Sequence, residues 1–414
     1  MKLFKKTMGV LLAASVLLSL SACAGKDNDK GSEGEATKIV LFQSKVEIID
    51  QLEDMAEAYK EETGVEIEVW GTTGDDYVQQ LKTKLANNQG PTLFSLLPGS
   101  ESDTMASYLE DLSDLSFVDK IAEGMATTNA DGKIVGIPYT MEGFGMVYNK
   151  DLVDASKVTD YDSFVAMLQE QKAGGVEGFG LSQESYFLIG HILNTPFALQ
   201  EDPLAYIEKL NAGEVKMADT PEFQEFAKFM EAIRANCYNP LEYNYDKECG
   251  DFATGKTAAI HQGNWCYSMF ADYDVTFEMG LAPLPLCGND KIAVSVPNAW
   301  FVNSQASDAE KKAAKDFLEW LYTSETGTHY LMDEFGFLPV IEGMESENLD
   351  PLSAQVAEYA AAGKTITWPM NAWPTGIVDV YLVPVAQEFF TTDMDGATFL
   401  QRLDEAWAQA NEQK

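Results

Sequence analysis

Gly250-Asp251-Phe252-Ala253-Thr254-Gly255-Lys256-Thr257 satisfies, position by position, the glycine-rich pattern whose backbone N–H groups cradle nucleotide phosphates. Its surroundings contradict that use. A phosphate loop follows an apolar strand and opens a helix, so that the helix N-terminus faces the anion; here the upstream stretch Tyr243 to Glu248 is polar and aromatic, and Ala258-Ala259-Ile260 runs into His261-Gln262-Gly263. A helix end followed by a strand is the reading to expect. Metal chemistry has little to build on, because His191, His261 and His329 lie far apart and no HExxH or CxxC spacing exists. Each histidine reads as a surface or core residue, and no metal or cofactor is expected. A GxSxG elbow is absent. Paired carboxylates of the glycosidase kind stay open, since 66 acidic residues offer many pairs and a sequence does not give their separation. Cys237, Cys249, Cys266 and Cys287 allow disulfides or free thiols equally, with Cys237 and Cys249 the most local pair. Either way they look structural.

These groups must be positioned by a chain of 414 residues with a net charge of −38. Nucleic-acid binding draws its affinity from cationic side chains on phosphates, and only Arg234 and Arg402 carry a guanidinium. A nucleic-acid partner is therefore excluded, and the acidic balance disfavours an anionic membrane surface. With 46% apolar residues the chain can build a core, and its length predicts two domains. From Lys38 the pattern alternates. Ile39 to Phe42 reads as a strand; Val46, Ile49, Leu52, Met55, Ala56 and Tyr59 recur at helical spacing until Gly64; Val65 to Trp70 alternates as a strand. Tyr77, Val78, Leu81 and Leu85 give a helix ended by Gly90-Pro91, and Leu93 to Leu97 the next strand. Such spacing predicts parallel βαβ units and an α/β fold. Lys133 to Tyr139 and Phe144 to Asn149 read as extended. Helices are expected over Phe164 to Gln171, Tyr186 to Leu193, Pro203 to Leu210 and Pro221 to Ala235, the last capped by Thr220, and Ser307-Asp308-Ala309-Glu310 is a capping box.

Lys2, Lys5 and Lys6 precede an apolar run from Met8 to Leu20, too short for the roughly 20 residues of a membrane span. Residues 1-22 read as a signal peptide, and Leu20-Ser21-Ala22-Cys23 resembles the lipobox of bacterial lipoproteins, which implies lipidation of Cys23. Residues 23-36 carry no large apolar side chain and read as a flexible tether.

Asp131-Gly132-Lys133-Ile134-Val135-Gly136-Ile137-Pro138-Tyr139, followed by Gly143 to Leu152, resembles the signature of extracytoplasmic solute-binding proteins of ABC transporters, in the carbohydrate family that includes maltose-binding protein. Phe252 to Ile260 before Gly263-Asn264-Trp265, and Gly336-Phe337-Leu338-Pro339, resemble further segments in the same order. The resemblance runs from about Lys38 to the C-terminus and accounts for the phosphate-loop lookalike. It implies two α/β lobes, a periplasmic-binding-protein-like fold with ligand in the cleft between them. Lobe one would be 37-141 plus 297-340 and lobe two 142-296 plus 341-414, with hinges near Glu142 to Val147 and Ala293 to Pro297.

A sugar presents apolar C–H faces and a rim of hydroxyls, so its binder needs flat aromatic rings and polar side chains. Trp265 and Trp373 resemble the family's stacking positions; Trp300 and Trp368 are lesser candidates, and Trp320 and Trp407 fall in amphipathic helices as packing residues. Glu184 and Tyr186 lie in a segment resembling one that supplies a carboxylate and a ring, against the plain reading of a helix start. Glu142 lies in the hinge-side segment after Pro138-Tyr139, where the family often places a polar ligand contact, and Ser44 and Ser100 sit in loops at the C-terminal ends of strands, where open α/β sheets bind ligands. The loop Pro98-Gly99-Ser100-Glu101-Ser102 lacks the aspartate and arginine of maltose-binding proteins, which argues against maltodextrin specificity.

The expected protein is a lipid-anchored, monomeric receptor on the extracytoplasmic face of the bacterial cell membrane. It takes a sugar, best a neutral oligosaccharide, to the permease of an ABC importer. Uronic acids stay open through lysines. The alternatives are a secreted lipoprotein glycosidase, or a receptor for a peptide or polyamine.

Overall fold

The structure is a computed structural model that describes residues 37–71, 74–344 and 348–412. Cys23, the signal segment and the tether lie outside the described residues. Among these residues, eleven strands form two sheets. β1 (Lys38–Gln43), β2 (Glu66–Gly71), β3 (Leu93–Leu96), β4 (Thr127–Thr128) and β5 (Ile134–Pro138) belong to the first. β6 (Glu142–Asn149), β7 (Ala259–Gly263), β8 (Met279–Ala282) and β9 (Ile292–Ser295) belong to the second, β10 (Ala299–Val302) returns to the first, and β11 (Thr365–Ile366) closes the second. The first sheet has the order β2-β1-β3-β10-β5-β4; β1 runs parallel to β2 and β3, as the alternation of strand and helix predicts. In the second, β6 is antiparallel to β7, β8 and β9. The chain passes between the sheets at 139–141 and again at 296–298, which makes a two-lobed α/β molecule with crossing strands.

Several sequence signals act as expected. The helix Ile49–Thr63 buries Leu52, Met55, Ala56 and Tyr59 and stops where Gly64 turns left-handed at φ 79°, its N–H donating to the Lys60 carbonyl at 2.9 Å. The capping box forms: the Glu310 N–H donates to Ser307 Oγ at 3.3 Å, and the Ser307 N–H donates to Glu310 Oε2 at 2.9 Å. The phosphate-loop lookalike is a helix end, Tyr245–Ala253, leading to β7. Its Lys256 is tied to Asp251 at 2.7 Å rather than left for an anion.

Other signals resolve differently. Val46 belongs to a 3₁₀ turn, Val46–Ile48, and is exposed rather than on the buried helical face. Thr220 occupies the N-cap position but makes no capping bond; its hydroxyl instead donates to the Lys216 carbonyl at 2.9 Å and lies 2.8 Å from Tyr206 Oη. All four described cysteines are free thiols, and Cys249 contacts Cys266 rather than Cys237. No helix of the described residues is long and apolar enough to cross a membrane.

Arg234 shows what an isolated guanidinium can do in so acidic a chain. From the helix Pro221–Asn236 its Nη1 donates to the carbonyls of Phe389, Thr392 and Met394 at 2.8, 3.2 and 2.7 Å, while the guanidinium lies 4.0 Å over the Phe389 ring. The Phe389 carbonyl lies in the last turn of the helix Val383–Thr391, where carbonyls lack an intrahelical partner, and those of Thr392 and Met394 belong to the chain that leaves it. Arg234→Ala leaves them unpaired and is expected to cost about 2 to 4 kcal/mol of stability. Urea unfolding checks this, and a change below about 1 kcal/mol would refute the capping role.

Candidate functional site

A cleft of about 990 Å³ opens between the two sheets, at the upper end of the usual range for small-molecule sites. Its walls differ in chemistry. Segments beside the second sheet supply rings: Tyr186, Phe187, His191, Tyr245, Trp265 and Trp368. Facing them are Ser44, Lys45, Glu47, Tyr77, Glu101 and Asn298, carried by the loops after β1, after β3 and before β10, and by the helix Gly74–Ala86. The C-terminal ends of β1 and β3 thus serve the site, as the topology of an open sheet requires.

Trp265 owes its position to its neighbours in sequence. It sits in the 3₁₀ turn Asn264–Phe270 directly after β7, and its indole folds back over Gly263, where a Cβ would lie 2.2 Å from the ring. Only glycine permits that approach. The indole N–H donates to Gln262 Oε1 at 2.8 Å, and Gln262 Nε2 donates to Glu248 Oε2 at 2.7 Å, so a buried acid anchors the ring through one amide. Phe187 lies nearly parallel to the indole at 6.2 Å, whereas Trp368 stands at 84° to it at 6.3 Å, which gives the cleft a cornered aromatic wall.

Behind these rings lie polar atoms without a partner in the protein. Tyr245 Oη, His191 Nδ1, Trp368 Nε1, Asn298 Oδ1 and Glu184 Oε2 are buried and unbonded, although every one of their residues lines the cleft. Leaving such groups unpaired costs about 1 to 3 kcal/mol each, so these five, set just behind the cavity lining, are groups that water or, after side-chain rotation, a ligand can pair. His191 is stacked on Phe144 at 4.5 Å, and burial together with nearby His261 pushes its pKa well below the ordinary histidine value. It is neutral at physiological pH and can donate or accept. Among the described residues, no cluster of His, Cys, Asp and Glu could hold a metal ion.

The electrostatics are one-sided. Glu47, Glu101, Glu142, Glu184, Asp246 and Asp379 line the cleft, and Lys45 is the one cationic side chain among the described lining residues. Lys45 is already engaged: its Nζ lies 2.7 Å from both Glu47 and Glu142, with all three side chains at most 10% exposed. Burial opposes its charge, but the two carboxylates more than offset that and raise its pKa. Burial also raises Glu142, against the pull of Lys45, and pushes Glu101 up to about 7, with Asp379 adding to the effect.

Of the residues singled out from sequence, Ser44, Glu142, Glu184, Tyr186, Trp265 and the lesser candidate Trp368 line the cleft together. Three do not. Trp373 is 2% exposed and packs between Phe197 and Trp407 at 4.9 and 5.5 Å, which makes it a core residue. Trp300 is fully buried in the first sheet with its ring 3.7 Å from Tyr139. Ser100 instead bridges the lobes, its hydroxyl 2.8 Å from Thr375 Oγ1, while neighbouring Gly99 comes so close to the Asn371 carbonyl that a Cβ would lie 2.7 Å from it. The sequence reading missed His191, Tyr245 and Asn298 as cleft residues. Asn298 could have been found, since it lies between two strands that cross from sheet to sheet; the other two carry no local signal.

Comparison with known proteins places this geometry. Over 341 residues the chain is 26% identical to a maltooligosaccharide ABC transporter solute-binding lipoprotein of Streptococcus pneumoniae (strain ATCC BAA-255 / R6), covering 78% of each chain. It is 23% identical over 365 residues to the galactooligosaccharide-binding protein of Bacillus subtilis (strain 168), covering 84% of this chain and 83% of that one. Among solved structures, a chitin oligosaccharide binding protein superposes with a TM-score of 0.77 at 18% identity over 91% of this chain and 99% of the other. RafE in complex with raffinose superposes at 0.75 and 21% identity, over 90% and 99%. The model of the bacterial extracellular solute-binding protein family matches residues 54–364, most of the chain, and with this cleft between two lobes the chain belongs to that family.

Proposed function

We propose that the protein captures a neutral oligosaccharide between its lobes and delivers it to the permease of an ABC importer, without chemical turnover. The observation that carries this reading is the pairing of a cornered aromatic wall with five unpaired buried polar atoms in one cleft. Rings cover the apolar faces of a sugar, and the unpaired atoms meet its hydroxyls. The names of the relatives, which bind maltooligosaccharide, galactooligosaccharide, chitin oligosaccharide and raffinose, support the same class. In this reading lobe one comprises 37-141 plus 297-340 and lobe two 142-296 plus 341-414. Ligand bridging both favours the closed form, since only that state makes both sets of contacts, and the Ser100–Thr375 contact belongs to closure rather than to ligand. A lipid on Cys23 would hold a monomer to the extracytoplasmic face of the membrane.

The lining charges sharpen the substrate class. Six acidic side chains line the cleft and its one lysine is already paired, so uronic and phosphorylated sugars meet repulsion, while hydroxyls find acceptors. The test is thermal unfolding of residues 37–414 against matched neutral and carboxylate-bearing oligosaccharides, with product analysis. A neutral series should raise Tm by mass action and an anionic series of equal length should not. Cleavage of the sugar would overturn the receptor, and a shift with peptides or polyamines alone would overturn the sugar.

A further inference from the structure

The cleft does not end in solvent on its Lys45 side. A second cavity of about 470 Å³ lies beyond it, lined by Tyr267, Ser268, Asn264, Phe335, Phe337 and Asp350 among others. Lys45, Glu47, Glu142 and Trp265 line both cavities and so form the partition between them. That partition is tightly made. Two carboxylates grip one ammonium at 2.7 Å each, and the indole beside them is held by Gln262 and pressed over Gly263. Burying three charges for packing alone is poor design, because an apolar cluster of similar volume is often as stable or more so. An ion cluster does, however, make a wall whose geometry is fixed by directional contacts.

We propose that the Lys45–Glu47–Glu142 cluster sets the length of the bound oligosaccharide by closing the principal cleft from the second cavity, which becomes a further subsite when the cluster is opened. This rests on the oligosaccharide reading above. A chain that fits the first cavity binds against the wall; additional units find no room and gain no affinity. Both cavities carry aromatic rings and polar groups, so a chain crossing the partition would meet the same chemistry on the far side.

The experiment is calorimetric titration with maltooligosaccharide, galactooligosaccharide and chitin-oligosaccharide series, each graded upward from the disaccharide. For wild type, affinity in the accepted series should rise to a limiting length and then stay flat. Lys45→Ala/Glu47→Ala/Glu142→Ala removes the wall without stranding a charge, and chains beyond the limit should gain about tenfold or more relative to the limiting chain. Lys45→Met/Glu47→Gln/Glu142→Gln keeps the bulk and should keep the limit. An unchanged limit in the folded alanine variant overturns the proposal. Should that variant not fold, Ser268→Phe decides, because Ser268 lines the second cavity and not the principal cleft. No change at any length is expected, whereas selective loss of long chains would show that they already occupy it. Failure of every series to bind wild type removes the saccharide reading and this one together; binding with an unmoved limit removes this one alone.

Discussion

Trp265→Ala should weaken oligosaccharide binding by about 2 to 4 kcal/mol, roughly 30- to 700-fold in Kd, while leaving the fold intact. The size of the effect follows from how the ring is held. Its edge is fixed by the bond to Gln262 and its underside by Gly263, so little freedom is lost when a sugar docks, and the stacking energy is not spent on ordering the side chain. The fold should tolerate the change because Trp265 is only half-buried, unlike Trp300 and Trp373. Trp265→Phe should recover part of the loss, since a ring face remains but the anchoring N–H does not. Trp373→Phe should lower Tm yet leave Kd within about threefold, because that ring packs on Phe197 and Trp407 away from the cleft. Calorimetry on all three decides. A Trp265→Ala variant that binds as wild type would mean that the aromatic wall is structural and the ligand is held elsewhere.

That contrast among tryptophans shows where a sequence stops informing. The parallel strands and their helices were legible because burial imposes periodicity: Leu52, Met55, Ala56 and Tyr59 announce one buried face whatever lies behind it. Trp265 was legible because Gly263 and Asn264 beside it are local. Trp300 and Trp373 were not separable from it, because an indole in a core and an indole on a cleft wall have the same neighbours in sequence. Burial of Trp373 depends on Trp407 and Phe197, which come from distant helices. His191 and Tyr245 were missed for the matching reason. They reach the cleft through the packing of two separate helices against β6 and β7, and their orphaned polar atoms become visible only once the hydrogen bonds of the surroundings are known. The same holds for Cys249, whose partner in space is Cys266 and not the cysteine nearest in the local stretch.

Glu248→Gln should make the protein more stable above pH 8 and leave it nearly unchanged at pH 5. Glu248 is fully buried behind the aromatic wall, and burial, with the nearby charge of Glu184, raises its pKa to about 8 despite the bond from Gln262. An unfolded glutamate titrates near 4.5. Between those values the folded chain holds a proton that the unfolded chain has released, so stability falls as pH rises through this window and levels off above about 8. The displacement corresponds to ~5 kcal/mol as an upper bound. Glutamine is neutral throughout and still offers an oxygen to Gln262 Nε2, so the anchor of Trp265 survives and ligand affinity at pH 5 to 6 should match wild type. Glu101, raised to about 7, adds its own slope to both proteins and cancels when the two are compared at each pH. Urea unfolding of variant and wild type at pH 5, 7 and 9 measures the difference directly. A stability gap that is the same at all three values would show that Glu248 is ionised in the fold, and that the acid behind Trp265 is held by charge rather than by its proton.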